Sequence, residues 1–414
     1  MEKTASTDFD IVIVGGGIVG AAMACTLKKL SLRVALVDRI LHDPTNIPYL
    51  KKAHKFDPRV SALTAASINL FVNLGVWEFI NDVRCCSYQK MEVWDADGTG
   101  QINFSAEDIK QPSLGAIVEN SIINTALYSS LNNSENVELL APVEIEGLSI
   151  IQHGDDFRAK LTTKNGKVLT TTLVIAADGT NSRIRDLAQF KIREWDYEHQ
   201  ALVTTVRTEL PHEHRALQRF IDTGPLAFLP LLPAADSQDQ HYSSVVWSSI
   251  FDRSQQLMEM TDEQFKSELA LNMEHRLGKI EAIDQRFSFP LRQRHAIDYF
   301  RSNIVLIGDA AHTIHPLAGQ GVNLGLLDVG TLSGELARGL GAGRNLADAV
   351  VLNRYQRKRI GHNLGMMCLM EGFKYLFAEQ ALPARWLRNM GMNGLDNVSV
   401  IKNHLARRAM GLDW

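Results

Sequence analysis

The chain has 414 residues, 45% of them hydrophobic and 22% charged, with a formal net charge of −4. That composition is ordinary for a globular protein of two or three domains, and its acidic balance excludes a general nucleic-acid binder, which would be basic. The four cysteines, Cys25, Cys85, Cys86 and Cys368, form no C-x-x-C pair, so neither a zinc site nor a disulfide framework is expected and a reducing compartment fits. No signal-peptide core precedes the first apolar run and no run reaches bilayer length. The expectation is a soluble protein, at most resting on a membrane surface.

The first element is Asp10-Ile11-Val12-Ile13-Val14, a β-branched run that ends in Gly15-Gly16-Gly17 and continues as the alanine-rich segment after Gly20. Strand, tight turn and helix are therefore expected, with G-x-G-x-x-G where a dinucleotide pyrophosphate needs it. In this pattern Gly15 permits the turn, Gly17 lets backbone amides approach phosphate, and Gly20 lets helix and strand pack closely. A second strand, Arg33–Val37, delivers Asp38 at the distance where an acid binds ribose hydroxyls.

The polar, proline-containing stretch 42–57 reads as a surface loop. From Pro58-Arg59-Val60-Ser61-Ala62-Leu63 a helical pattern is expected through Leu74 to Gly75, with Arg59 at its mouth facing either an anion or solvent. Strand alternation over Met91–Phe104 turns at Asp97-Gly98, and Leu114–Asn120 leads into a helix from Ser121 to Leu131. Strands near Val143–Ile151 and Phe157–Thr163, with the hairpin signal Asn165-Gly166, suggest a β-meander inserted beside the nucleotide fold.

The continuously apolar run Leu173–Ala177 reads as a buried parallel strand. It ends in Asp178-Gly179-Thr180-Asn181-Ser182-Arg183-Ile184-Arg185. Strand-like runs dominate Ala201–Phe289, interrupted by a helical stretch over Met258–Leu277 that opens on the cap Thr261-Asp262-Glu263. Asn303–Ile307 is another apolar strand, ending in Gly308-Asp309-Ala310-Ala311-His312, after which a helix runs through Leu336. The remainder reads as helical and, from Val351, carries ten Lys/Arg against four Asp/Glu. Its basic residues, including Arg354, Arg357, Lys358, Arg359, Arg385, Arg388, Arg407 and Arg408, suit an anionic membrane surface or contacts with acidic parts of the same chain. Phe373, Leu376, Phe377, Leu387 and Met390 suit a lipid channel, a subunit contact or ordinary core.

Three stretches far apart, 15–20, 178–185 and 308–321, thus each end an apolar strand in a glycine turn, as loops converging on one large anionic cofactor would. Asp178 fits either a ligand contact or a turn. His312-x-x-His315 has metal-ligand spacing, but no neighbouring carboxylate or thiolate completes a site, so no metal is expected.

Together, the 15–20 fingerprint, Asp178-Gly179-x-x-Ser182-x-x-Arg185 and Gly308-Asp309 through Pro316 resemble flavoprotein monooxygenases of the para-hydroxybenzoate hydroxylase class. Arg59-Val60-Ser61-Ala62, Val118-Glu119-Asn120, the run Gly308–Asn323 and the ending Ala409-Met410-Gly411-Leu412 resemble the ubiquinone-biosynthesis hydroxylases in particular, over essentially the whole chain. That resemblance implies an α/β two-domain flavoprotein: a Rossmann-like FAD domain (1–78, 114–190 and 291–345), an inserted β-sheet substrate domain (79–113 and 191–290) and a helical C-terminal region (346–414).

It further implies FAD bound by Gly15, Gly17, Gly20, Asp38, Arg59, Asn120, Asp178 and Asp309. Gly319, Gln320, Gly321, Val322 and Asn323 would face the isoalloxazine. His315 and Pro316 lie nearest the substrate, Gln320 is a second candidate for orienting it, and no catalytic side chain is assigned. NAD(P)H or another donor would reduce the FAD. Dioxygen would then hydroxylate a polyprenyl phenol or quinol through a flavin C4a-hydroperoxide, with a slight lean toward the demethoxyubiquinol type. A cytoplasmic place at the inner membrane surface, a homo-oligomer and a biosynthetic complex are implied as well. The competing readings are a hydroxylase of a soluble aromatic and a non-catalytic flavin-binding subunit.

Overall fold

Five parallel strands lie side by side with their carboxyl ends level. The computed structural model describes residues 7–50, 54–96, 100–132, 134–153, 156–313 and 321–378, with isolated positions between 396 and 411. Thr7–Val14 pairs in parallel with Val34–Val37 on one side and Val168–Ala176 on the other. Ile304–Leu306 and Val137–Leu140 extend the sheet outward, also in parallel. The register sets Leu306, Ala176, Val14, Val37 and Leu140 in one row. Ile11, Val12, Ile13, Val174 and Ile175 are fully buried, as strands covered on both faces must be. Helices Ile18–Leu27, Asn120–Leu131 and Gly321–Gly341 contribute to that cover.

The expected meander is present but not separate. Ile145–His153 and Asp156–Thr163 join the same eight-stranded sheet: Asp156–Thr163 pairs antiparallel with the amino-terminal half of Val168–Ala176, and Ile145–His153 pairs antiparallel with Asp156–Thr163. One long strand therefore closes the meander at its start and supplies the buried parallel strand at its end.

A second difference lies at Val60–Leu63, where the structure has a strand and not the start of a helix. It pairs with Gly115–Glu119, which also pairs with Cys86–Tyr88. The helix begins only at Ala65, capped by the Thr64 side chain, and ends at Gly75, whose φ is 72°. A short apolar run is compatible with either element, and here a partner far along the chain decides.

A nine-stranded sheet forms the second layer. It gathers Lys90–Asp95, Gln101–Ser105, Ile192–Thr208, Arg215–Ile221, Gly224–Leu231, Tyr242–Ile250, Ile280–Ile283, Phe287–Ala296 and His312–Thr313. Helices Phe251–Glu259 and Asp262–Asn272 cover one face around Trp247, Phe228 and Phe265. The second of these helices opens on the expected cap, completed as a capping box by Gln264. On the other face Leu229, Leu231 and Tyr242 meet Phe56, Ala62 and Ile117.

The last two long helices, Gly321–Gly341 and Ala349–Ala378, are joined by buried carboxylates. Glu335 accepts Lys358 at 2.7 Å and Arg338 at 3.1 Å, and Asp328 accepts Arg359 at 2.6 Å. Arg359 is buried and so bonds acidic parts of the same chain and not a membrane surface, whereas Lys358 pairs with Glu335 while its side chain stays exposed. Arg354 and Arg357 are exposed. Arg385, Arg388, Arg408, Leu387 and Met390, and the side chains of Phe373, Leu376 and Phe377, lie outside the described residues. Among the described residues, no helix is long and apolar enough to cross a membrane. Cys85 and Cys86 are buried, and burial pushes the Cys85 thiol up to about 12.

His212 and His295 are buried neutral groups. His212 sits between the Leu231 carbonyl at 3.1 Å and the His214 N–H at 3.1 Å, and burial lowers it to about 4. Burial and the neighbouring His312 lower His295 to about 4 as well. Folding stability from these groups is complete above the ordinary histidine value near 6.5. It falls as pH drops toward 4, because the unfolded chain takes up protons that the folded chain refuses. At pH 5 the loss is about 2 kcal/mol per histidine. Urea unfolding at pH 7.5 and pH 5 should show this decline, and a smaller one for His212→Gln; an equal decline in the variant contradicts the assignment.

Candidate functional site

Level strand ends bring four loops together. After Val14 the backbone of Gly15 has φ +105°, and a Cβ there would lie 2.3 Å from the Ala177 carbonyl oxygen. A Cβ on Gly20 would lie 1.8 Å from the Gly15 carbonyl oxygen. Both positions exclude any other residue as the backbone stands. Gly17 differs: it is the exposed N-cap of Ile18–Leu27, and a Cβ there meets nothing within 4 Å. The first N–H groups of a helix are unpaired within it and carry partial positive charge. The open space at Gly17 leaves an anion free to reach them, so this turn fits a dinucleotide pyrophosphate.

Asp38 follows Val34–Val37 and turns back onto the same loop. Its carboxylate accepts the N–H of Gly16, and the N–H of Ile40 at 2.7 Å. Gly16 is a residue that reading G-x-G-x-x-G passes over. Its carbonyl accepts the Tyr128 hydroxyl at 2.9 Å, and a Cβ there would be 2.1 Å from that hydroxyl. The only signal in the sequence was a third glycine between the two that the motif names.

Arg59 and Asn120 lie together across the small sheet. The side chain of Arg59 is exposed, its carbonyl accepts the Asn120 N–H at 3.0 Å, and the Asn120 amide oxygen accepts the Ser61 hydroxyl at 2.6 Å. Behind them Arg84 grips Glu119 at 2.6 and 2.7 Å, both side chains being less than 5% exposed. Glu119 accepts the Asp57 N–H at 2.6 Å, and Asp57 accepts the N–H groups of Arg59 at 2.9 Å and Ser121 at 3.1 Å. Burial raises the Glu119 carboxyl against the opposing pull of Arg84. Nothing local in the sequence marks Arg84 for this task.

Both oxygens of Asp178 are engaged in its own turn: they accept the Ser182 hydroxyl at 2.5 Å and the Ile184 N–H at 3.1 Å. Burial raises this carboxyl too. Arg185, only 3% exposed, reaches from this turn to the carbonyls of Thr180 at 3.0 Å and Ala310 at 3.2 Å. It ties the second glycine turn to the third.

Asp309 stands on that third turn, with the Thr180 hydroxyl 3.4 Å from its carboxylate. The residue is accessible to solvent yet closely surrounded by protein, and that surrounding raises its carboxyl above the usual range. A side chain on the wall of a cleft combines these two properties. Gly308, at φ +58°, and Gly325 both pack on Val19 of the first helix: Cβ atoms there would lie 3.1 and 2.6 Å from it.

Helix Gly321–Gly341 starts at the same end. Asn323 is buried and spans to the small sheet: it donates to the Ala62 carbonyl at 2.8 Å and accepts the Thr64 N–H at 3.0 Å and the Ser67 hydroxyl at 2.7 Å. Gly321 and Val322 are half-buried beside it. His315, Pro316, Gly319 and Gln320 lie outside the described residues. His312 is turned inward onto Asp328 at 2.5 Å, and no cluster of metal-ligating side chains occurs among the described residues.

Comparisons with known proteins converge on one reading. The FAD binding domain family model matches residues 8–367. The 3-demethoxyubiquinol 3-hydroxylase of Escherichia coli K12 is 36% identical over 403 residues, covering 97% of this chain and 98% of that protein. The human mitochondrial ubiquinone biosynthesis monooxygenase COQ6 is 30% identical over 458 aligned residues, 97% of this chain and 92% of the relative. Among solved structures, the probable FAD-dependent monooxygenase PqsL of Pseudomonas aeruginosa superposes with a TM-score of 0.74 at 20% identity, over 94% of this chain and all of that one. The p-nitrophenol 4-monooxygenase PnpA of Pseudomonas putida DLL-E4 gives 0.74 at 17% identity, over 99% of both chains. These two establish a shared two-domain fold. With the family model spanning most of its length and relatives alike from end to end, the chain belongs to the ubiquinone-biosynthesis hydroxylases, a family of FAD-dependent monooxygenases.

Proposed function

We propose that this chain hydroxylates the aromatic ring of a polyprenylated phenol or quinol in ubiquinone synthesis, as a hydroxylase of the demethoxyubiquinol kind. The observation that carries the reading is the convergence of the loops at 15–17, 38, 177–180 and 308–309 on one exposed helix N-terminus, in a chain 36% identical to 3-demethoxyubiquinol 3-hydroxylase. FAD, reduced by NAD(P)H or another donor, supplies the activation of dioxygen.

The protein's own part is binding, orientation and exclusion of water. Gly15, Gly17 and Gly20 shape the turn that receives the pyrophosphate, Asp38 holds the adenosine ribose and Arg59 neutralises phosphate charge. Asn120 meets the flavin, and Asp309 meets the ribityl or pyrophosphate region. Gly321, Val322 and Asn323, in the first turn of a 21-residue helix, offer N–H groups that favour negative charge on the reduced flavin ring, and we assign Gly319 and Gln320 to the same contact. We assign His315 and Pro316 to contact with the substrate. We assign Asp178 to supporting its turn through the Ser182 hydroxyl and the Ile184 N–H.

The eight-stranded sheet with its helices forms the FAD domain, the nine-stranded sheet forms the substrate domain, and the C-terminal helices complete the structure. A prenyl tail is drawn from a membrane, and the exposed Arg354 and Arg357 suit the cytoplasmic face of the inner membrane. Assembly as a homo-oligomer or within a biosynthetic complex belongs to the same proposal.

Two measurements test this. Deletion in the native host should accumulate a ubiquinone precursor lacking one ring oxygen, identified by lipid mass spectrometry; unchanged quinone content with no paralogue substituting overturns the pathway assignment. Asp309→Ala should stay folded by circular dichroism yet purify with little flavin, whereas stoichiometric flavin would refute the role of Asp309. Gly17→Ala and Gly20→Ala should separate in the same assays. The first weakens FAD binding with a melting temperature near that of the parent chain. The second lowers stability by about 2 kcal/mol or more, because its Cβ meets backbone.

A further inference from the structure

A buried charge cluster that touches no candidate cofactor contact holds the loop that carries one. Asp328, on the second turn of Gly321–Gly341, is fully buried. One of its oxygens accepts both the Gly308 N–H at 2.9 Å and the His312 Nε2–H at 2.5 Å. The other accepts Arg359 Nε–H at 2.6 Å. Gly308 and His312 bracket Asp309, so one carboxylate grips both ends of the turn and leaves Asp309 exposed.

Arg359 extends the grip. Its Nη2 donates to the Leu324 carbonyl at 3.2 Å, in the first turn of Gly321–Gly341, and to Asn363 at 2.8 Å. Asn363 donates to the Tyr299 hydroxyl at 3.0 Å, and the Tyr299 ring stacks on His312 at 5.9 Å. Burial alone would raise the Asp328 carboxyl, but His312 and Arg359 outweigh it and hold it down at about 2. The cluster is therefore charged and satisfied at every edge that meets the turn.

We propose that Asp328, His312 and Arg359 act as a positioning unit. It sets Asp309 and the first turn of Gly321–Gly341 for FAD, and makes flavin affinity depend on Arg359, a buried residue of the C-terminal helix. The proposal rests on the reading that Asp309 lies against FAD. Plain core packing is the competing account, and Glu335 supplies the control. It is a buried carboxylate two turns along the same helix, paired to the same C-terminal helix through Lys358 but bonded to no cofactor loop.

The test is an FAD titration of the flavin-depleted full chain, followed by flavin fluorescence, with the melting temperature of each apoprotein measured in parallel. Asp328→Asn should raise the Kd for FAD on the order of tenfold or more and alter the visible spectrum of bound flavin. Glu335→Gln should lower the melting temperature while leaving the Kd within about twofold of the parent. Arg359→Lys keeps the charge but loses the planar fork; it should weaken FAD severalfold and serves as the deciding variant if Asp328→Asn does not fold. The proposal is overturned if Glu335→Gln weakens FAD as much as Asp328→Asn, or if the Asp328 and Arg359 variants bind like the parent. A parent chain that takes up no FAD overturns the underlying reading as well.

Discussion

Everything at the site depends on the parallel register that sets Leu306, Ala176, Val14 and Val37 in one row. Shifting one strand by a residue would exchange its buried faces and also move the loop that follows it by about 3.3 Å, the rise per residue. The register is locked where the first glycine turn meets the second. Gly15 lies against Ala177 and Gly20 against Gly15, so closely that a single carbon added at either has no room. Close backbone packing there is the cause of the site's shape, and glycine is the only residue type that permits it.

The strands and turns of this arrangement are written locally and could be read from the sequence. A continuously apolar run ending in glycine beside aspartate encodes its own burial, its own end and the polar group that follows. The positions of Asp38, Asp178 and Asp309 at strand ends were legible for that reason. A second sheet over Ala201–Phe289 and the capped helix after Thr261 were legible from strand-like runs and capping, whereas the membership of residues 291–296 and of His312–Thr313 in that sheet was not. What failed was choice among equals: Val60–Leu63 suits helix or strand, and its pairing with Gly115–Glu119 settles it. The meander was legible as strands, but its continuity with the parallel sheet was not, because one edge of Val168–Ala176 changes partner midway, from Asp156–Thr163 to Ile304–Leu306.

The residues that hold the loops in place were the least legible. Arg84 acts on Glu119 from 35 positions away, Arg359 on Asp328 from 31, and Tyr128 on Gly16 from 112. In sequence each looks like an ordinary surface arginine or core tyrosine. Arg359 stands in the sequence beside Arg354 and Arg357 as one more basic residue, suited to a membrane surface or to acidic parts of the same chain, and its burial beside Asp328 selects the second.

Buried ion pairs are a poor source of stability, since removing two charges from water offsets most of their attraction. That two of them flank this cleft needs another physical reason, and the loops supply it. Turns that aim a side chain at a ligand leave backbone N–H groups unpaired on their inner side, and burying such a group without a partner costs about 1–3 kcal/mol. Glu119 and Asp57 take the N–H groups of Asp57, Arg59 and Ser121, while Asp328 takes that of Gly308. A leucine in any of these positions would fill the volume and orphan the donors. A carboxylate accepts several donors at once, and being buried it then requires its own cation, which Arg84 and Arg359 provide. The arginines thus follow from the carboxylates, the carboxylates from the turns, and the turns from the need to bring irregular backbone up to one anionic ligand.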